Sequence, residues 1–202
     1  MIFHRADFYS HVRKSGLFGK FLEDSEVRGI EGILNAFRIY GDGRPKTLAY
    51  ALATAYHETG GWMIPVREGF AKTDAIARRI VARRPYGKPH GKYGHVYYGR
   101  GHVQLTWLDN YARTGKLLHV DLVADPDKML DPLISARVLV EGLIDGRWNG
   151  QKKGIAWYLP DNGPDDLENA RRTVNILDKW ALIAGYYRIF LVAIEAAQNK
   201  GE

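Results

Sequence analysis

Cysteine is absent from the 202 residues of this chain. That excludes disulfides, thiolate metal centres and a cysteine nucleophile, and it leaves the protein able to work in either redox compartment. No run of five or more like charges occurs, and there is no internal repeat, low-complexity tract or evident interdomain linker. Long apolar runs are scarce too. The N-terminal MIFHRADFYSHVRKSG lacks the apolar stretch of a secretory signal, so synthesis in the cytoplasm is expected. The most apolar segment, Trp180 to Ile194, is short for a bilayer span and carries Arg188 in its middle. It predicts a buried core helix, apolar nearly all round, and no stable membrane insertion.

What is present is an ordinary globular composition, 46% hydrophobic and 26% charged. The length suits one domain, or two lobes of one, but hardly two independent domains. The formal net charge of +6 favours polyanionic surroundings such as nucleic acid, an anionic cell wall or a membrane surface. Basic residues look spread along the chain, which reads as a general attraction to polyanions.

The stretch from Thr47 to Phe70, TLAYALATAYHETGGWMIPVREGF, organises the rest. Leu48, Leu52 and Tyr56 recur at intervals of four and predict a helix, with Ala51, Ala55 and Glu58 on a neighbouring face of otherwise small side chains. Gly60 and Gly61 are suited to the left-handed turn that closes it. Glu58 therefore falls in the last turn, where the negative end of the helix dipole disfavours an ionised carboxylate by roughly 0.3–1 kcal/mol, the direction a general acid needs. Ten residues on, Glu68 follows Arg67, and a contact with that guanidinium would favour the ionised form a base requires. Two carboxylates in contrasting surroundings across a tight turn are the minimum equipment for glycoside hydrolysis. The same residues also fit an exposed helix-end glutamate and a solvated loop charge, and spacing alone leaves both open.

Elsewhere the pattern is helical. Short helices are predicted over residues 6–14 and from Thr73 to Ala82, and a longer one starts at Asp24 or Ser25, with Val27, Ile30, Leu34 and Phe37 inward. RRPYGKPHGKYGH should be a mobile surface loop whose Tyr86, His90, Tyr93 and His95 either line a cleft or are merely solvated. In YYGRGHVQLTW, Val103 and Leu105 alternate with Gln104 and Thr106 like a short half-buried strand, and Asn110 shares the side of Thr106 if the chain turns helical after Trp107. Those amide and hydroxyl groups could hold a water or sugar hydroxyls, or only satisfy backbone groups in a tight turn. Asp131-Pro132 starts a helix with Leu133, Ala136, Val140 and Leu143 or Ile144 as its buried stripe, ending at Gly146. Trp148 and Trp157 with their basic neighbours suit either a cleft wall or packing. Pro164-Asp165-Asp166 opens a helix carrying Arg171 and Arg172 that ends near Asn175, and a last helix covers roughly 178–197. The sum is seven or eight helices with one small β element near 96–106, a mainly α fold.

Taken together, AYHETGGW, PVREGF, YYGRGHVQLTWLDNY, DLVADPDKMLDP and ARRTVNILDKWALIAGY resemble the family 19 glycoside hydrolases, and more closely the bacteriophage endolysins built on that fold. The resemblance spans about Arg44 to Tyr187. It implies a lysozyme-like, two-lobed helical fold with a groove between the lobes and a small β-hairpin or sheet lining it, as a single catalytic domain over 1–202 without a separate wall-binding module. It implies that Glu58 is the general acid, Glu68 the base, and Thr106 a holder of the catalytic water. Gln104, Asn110, Tyr98, Arg100 and Asn175 would bind sugar, although the glycine that usually follows the last is Ile176 here. An inverting outcome is implied, which needs carboxyl groups roughly 6.5–9.5 Å apart.

Chitin and peptidoglycan share the β-1,4-linked N-acetylhexosamine backbone, and peptidoglycan adds carboxylates that would attract a basic protein. The expectation is therefore a muramidase-type endolysin, a monomer needing no cofactor or metal, acting on peptidoglycan glycan strands in the periplasm after release through a separate pore. A chitinase of the same family is the alternative. A zinc amidase is disfavoured, because His57-Glu58 lacks the second histidine of an H-E-x-x-H helix and His90, His95 and His102 show no ligand spacing. A basic binding module for nucleic acid or wall glycan would have no use for two contrasted carboxylates, and no nucleic-acid motif stands out, while a relative of the family that binds sugar without cutting it is kept as a second alternative.

Overall fold

The computed structural model of the protein describes residues 3–198. Nine α-helices lie among them: α1 (Arg5–Lys14), α2 (Asp24–Tyr40), α3 (Pro45–Glu58), α4 (Asp74–Val81), α5 (Leu108–Leu118), α6 (Pro132–Asp145), α7 (Ile155–Tyr158), α8 (Leu167–Ala170) and α9 (Trp180–Gln198). The single sheet among the described residues pairs β1 (Val66–Arg67) with β2 (Arg100–Gly101) antiparallel, Val66 opposite Gly101 and Arg67 opposite Arg100.

Helix α3 is the axis of the main core. Every residue from Thr47 to Ala55 is buried, and α9, α6 and α2 pack around it. Alanines at 49, 51, 53 and 55 let those neighbours approach closely. Proline at the first position starts the helix without losing a hydrogen bond.

Helix α9 is apolar nearly all round, as expected, but it is not buried all round: Ile183, Ala184, Tyr187, Phe190, Ala193, Ile194 and Ala197 turn inward, whereas Leu182 and Val192 are about half exposed. Asp131 caps α6 by accepting from the backbone N–H groups of Leu133 and Ile134, and Gly146 ends it at φ 63°. The expected inward Leu133 is instead 76% exposed; its neighbours Asp131 and Pro132 are exposed too, and burial of α6 begins at Ser135. Helix α2 starts one residue earlier than expected: Glu23 and Glu26 form a reciprocal capping box.

A second, small core joins Ala71, Ala77, Val81, Val96 and Tyr98, with Ile76 and Tyr86 packed against it. This lobe is closed by the β1–β2 pair, so the sheet is a long-range tie between two sequence motifs. The predicted strand over 103–105 is a turn, with Arg100 and Leu105 bridged across it. Its alternation survives nonetheless, Val103 and Leu105 buried and Gln104 and Thr106 partly open.

His102 is buried, its backbone N–H donating to Ser135 Oγ of α6 and its ring Nε2 2.9 Å from the Met63 carbonyl oxygen. A carbonyl only accepts, so Nε2 carries the hydrogen, and the buried Nδ1 has no partner among the described residues. Burial pushes this imidazole down to about 4. An unfolded histidine takes up its proton near 6.5, so the stabilisation is complete above that pH and is lost as pH falls toward 4, in total about 3 kcal/mol. Urea denaturation at pH 7 and pH 4.5 should show that loss, and His102→Gln should flatten it. An equal slope in the variant would assign the acid sensitivity elsewhere.

Candidate active site

Glu58 is the last residue of α3, held at the cleft because the chain cannot continue as helix. Gly60 and Gly61 take φ of 62° and 87°, and Thr59 locks the turn by donating its hydroxyl to the Ala55 carbonyl and accepting from the Met63 N–H. The surroundings of Glu58 differ from the small side chains expected. Its Oε1 accepts from Arg171 Nη2 at 2.8 Å, and Arg171 is 1% exposed, anchored through Nε to the Asp178 carbonyl. The guanidinium therefore opposes the field of the helix end.

Glu68 is held differently. Arg67, expected beside it, turns away and pairs with Asp127 at 2.6 Å. Residues alternate sides along the extended β1, so adjacent side chains in sequence part company. The carboxylate of Glu68 instead accepts from Tyr86 Oη at 2.7 Å through Oε1, and from the Gly99 N–H at 2.8 Å through Oε2. Only glycine permits that approach: a Cβ at position 99 would lie 2.8 Å from the Gln104 side chain and 3.2 Å from Glu68 Oε2. Burial, followed by the hydrogen bond to Glu68, pushes the Tyr86 phenol up to about 12, so it stays a donor at neutral pH.

Both carboxylates open on one cleft of about 690 Å³, together with Tyr86, Gln104, Thr106, Asn110 and Asn175. Thr106 donates to the Gln104 carbonyl at 2.8 Å, and Asn110 Nδ2 donates to the Thr106 carbonyl at 2.9 Å. Gln104 Nε2 donates to the carbonyls of Val66 and Gly101, and Asn175 Oδ1 accepts from the Ile176 N–H. These side chains thus brace the loop that they line. Four of the seven non-glycine residues with positive φ among those described, Met63, Phe70, Gln104 and Trp107, fall in the two segments that build this cleft. Strained backbone of that kind costs about 1–3 kcal/mol per residue and concentrates where a site needs it.

Tyr98 and Arg100 are not in the cleft, which corrects their assignment to sugar. Tyr98 is 0% and Arg100 1% exposed, and both are already engaged. Arg100 Nε bonds Asp127 at 2.7 Å, its guanidinium lies 3.5 Å from the Tyr98 ring centre, and Tyr98 Oη donates to Asp74. Burial alone would raise the Asp127 carboxyl, but hydrogen bonds from Arg67 and Arg100 outweigh it and hold it below its usual range. This ionic cluster welds β1 and β2 to the turn at Pro126–Leu130 and so fixes the floor under Glu68.

Sequence reasoning did not anticipate Arg171 as the partner of Glu58, 113 residues away, nor Asn149 and Arg172 in the cleft wall. Trp148 does reach the cleft, its ring seated over Gly142, whereas Trp157 is 66% exposed outside it. Of the histidines at 57, 90, 95 and 102, His90 and His95 are bridged across their loop, but among the described residues no group of three or more His, Asp or Glu is placed to hold a metal ion.

The family described as chitinase class I, glycoside hydrolase family 19, matches residues 30–141, more than half of the chain. The chain belongs to family 19. An endochitinase of Carica papaya is 35% identical over 91 residues, 43% of this chain and 37% of that one. Endochitinase 1 of Theobroma cacao is 36% identical over 110 residues, 50% and 34% respectively. Inactive chitinase-like protein 1 of Hevea brasiliensis is 32% identical over 92 residues, 43% and 29%. The chain thus spans about a third of the length of these curated relatives. Chitinase C from Streptomyces griseus HUT6037 superposes with a TM-score of 0.53 at 20% identity, covering 96% of this chain and 77% of that one. A bacterial family 19 chitinase gives 0.51 at 22%, covering 96% and 95%. These two likenesses are in fold.

Within the family 19 domain, Thr106 lies between the two braced amides, Gln104 and Asn110, is bonded to both segments and opens on the cleft. Thr106→Ala is expected to lower turnover ten- to a hundredfold with little change in melting temperature, about the range of secondary catalytic contacts. Unchanged turnover would reduce Thr106 to a brace of the loop.

Proposed function

We propose that the protein hydrolyses β-1,4 glycosidic bonds of N-acetylated aminosugar polymers, and that its substrate is bacterial peptidoglycan. The observation that carries this reading is the pair of differently held carboxylates on one cleft, Glu58 against a buried cation and Glu68 against two neutral donors. Glu58 has one oxygen on Arg171 and the other available to carry a proton to the glycosidic oxygen. As that proton leaves, negative charge develops on Glu58 and the guanidinium meets it. Glu68, oriented by Tyr86 and Gly99, would take a proton from the attacking water, with Thr106 helping to hold that water. Gln104, Asn110 and Asn175 would contact sugar.

Peptidoglycan is preferred over chitin on charge: the peptides attached through its lactyl ethers carry carboxylates, and this chain is basic. We read the protein as a phage-type endolysin released to the wall through a separate pore. Chitin is the second reading, favoured by the endochitinase names of similar proteins, among which one named inactive warns that likeness does not carry turnover. Mass spectrometry of fragments released from purified sacculi decides between them. Reducing-end muropeptides support the proposal, anhydro ends replace hydrolysis by transglycosylation without water, and release from chitin alone overturns the substrate.

A further inference from the structure

The positive charge of this protein is local. Of its 29 Lys and Arg residues seven fall between positions 72 and 95, against one of its 23 Asp and Glu residues, leaving twenty-two of each sign elsewhere. The whole formal excess of +6 therefore belongs to a segment of two dozen residues, which corrects the impression of an even spread. That segment is α4 and the loop after it, the outer part of the small lobe. Its single acid, Asp74, is taken by Arg78, Arg100 and Tyr98. Lys72, Arg79, Arg83, Arg84, Lys88 and Lys92 are all exposed, and none forms a salt bridge with a carboxylate among the described residues.

The loop does not hang free. Its Gly87 is buried tightly enough that a Cβ there would meet the Val81 carbonyl, His90 and His95 bridge across it, and His95 bonds the Ala124 carbonyl at 2.9 Å. Tyr86 lies in the middle of the charged run, two residues from Arg84 and two from Lys88, and it is the residue that holds Glu68. The cations are thus carried on the same piece of chain as one wall of the cleft, at a fixed offset from the second carboxylate.

We propose that this face of the small lobe is a binding surface for the carboxylates borne by the glycan strand lying in the cleft, so that the enzyme selects an anionic aminosugar polymer over a neutral one. The inference rests on the peptidoglycan reading above and locates its specificity. A neutral strand would gain no charge pairing from six cations that form no salt bridge among the described residues, although Lys92 also lies 4.6 Å from the Tyr93 ring centre. A strand with carboxylates along its length would neutralise them several at a time, and the attraction would bring it to the cleft edge where Tyr86 and Glu68 stand. Nucleic acid, the other common polyanion, is disfavoured because the segment that carries the cations also supplies Tyr86 to a cleft of about 690 Å³ that holds two carboxylates of its own.

The test measures binding apart from cleavage. Glu68→Gln protein is co-sedimented with intact sacculi, with sacculi whose carboxyls have been amidated by carbodiimide coupling, with chitin and with duplex DNA. Binding to intact sacculi should fall about tenfold between roughly 50 and 300 mM salt, and amidation should produce a comparable loss at low salt. The triple variant Arg83→Gln, Arg84→Gln, Lys88→Gln, all at exposed positions, should match the amidated result without a change in melting temperature. Equal binding to intact and amidated sacculi, or tighter binding to DNA lost in the same triple variant, overturns the proposal. Should the parent enzyme bind sacculi by this surface yet release no fragments from them, the hydrolase reading would fall and the surface would stand.

Discussion

Glu58→Gln is expected to leave a folded protein with turnover lowered by about a thousandfold or more, since general acid catalysis by a positioned group contributes roughly 10²–10⁴-fold and an amide has no proton to give. Glutamine keeps an oxygen where Arg171 needs an acceptor, so the 2.8 Å contact can persist. What it removes is the charge opposite a guanidinium that is 1% exposed, and the cost to stability should be about 1–3 kcal/mol. The two effects are separable: a thermal melt reads the second and reducing-end release reads the first. A folded variant retaining more than a tenth of the parent rate removes Glu58 as the acid. Loss of activity that simply tracks loss of fold is resolved by Arg171→Lys, which keeps a cation near the carboxylate but shortens its reach and cannot reproduce the guanidinium's contact with the Asp178 carbonyl. If Arg171 serves the developing charge, that variant loses turnover while Glu58 is intact, and its pH–rate profile shifts; if Arg171 is only a strut, stability falls and the profile stays.

What was legible in the sequence is what is decided within a few residues. The Asp131-Pro132 start and Gly146 stop of α6, the start of α4 at Thr73, which caps the helix rather than beginning it, and the Gly60-Gly61 break after Glu58 are local hydrogen-bond and backbone problems with few solutions. Periodicity likewise found the inward face of α2, but in α3, buried all round from Thr47 to Ala55, the stripe of Leu48, Leu52 and Tyr56 marked only one of several buried faces. It failed at Leu133, because a stripe says which side of a helix is apolar and not how far its neighbours extend to cover it.

The long-range pairings were not legible. Arg67 lies next to Glu68 in the chain, but the partner it takes, Asp127, is sixty residues on. Tyr98 and Arg100 sit in the same motif as Gln104 and Thr106, yet the tight turn at 101–104 sends the first two into the small lobe and the second two to the cleft. Arg171 reaches Glu58 only because α8 and the turn after it pack back against α9, which itself lies on α3. Charge was a different case: looking for uninterrupted runs hid an excess that a running count along the chain exposes.

Glu68→Gln tests the other half of the site, and its expected effect is nearly as large, roughly a hundred- to a thousandfold loss of turnover. The carboxylate it replaces is oriented by neutral donors, Tyr86 Oη and the Gly99 N–H. The amide oxygen of the substituted side chain can still accept from one of them, so the fold should lose little, but its nitrogen faces the other donor and cannot accept a proton from water. The specific consequence concerns the nucleophile. If Glu68 works by deprotonating water, a small anion that needs no base, such as azide, should restore turnover in Glu68→Gln and give a glycosyl azide of inverted configuration, while leaving Glu58→Gln unrescued. Restoration with retained configuration would mean that a group of the enzyme had attacked the sugar first, and the base assignment would fall. Tyr86→Phe sharpens the same test: it removes one hydrogen bond and leaves the base, so turnover should drop roughly tenfold with no gain from azide.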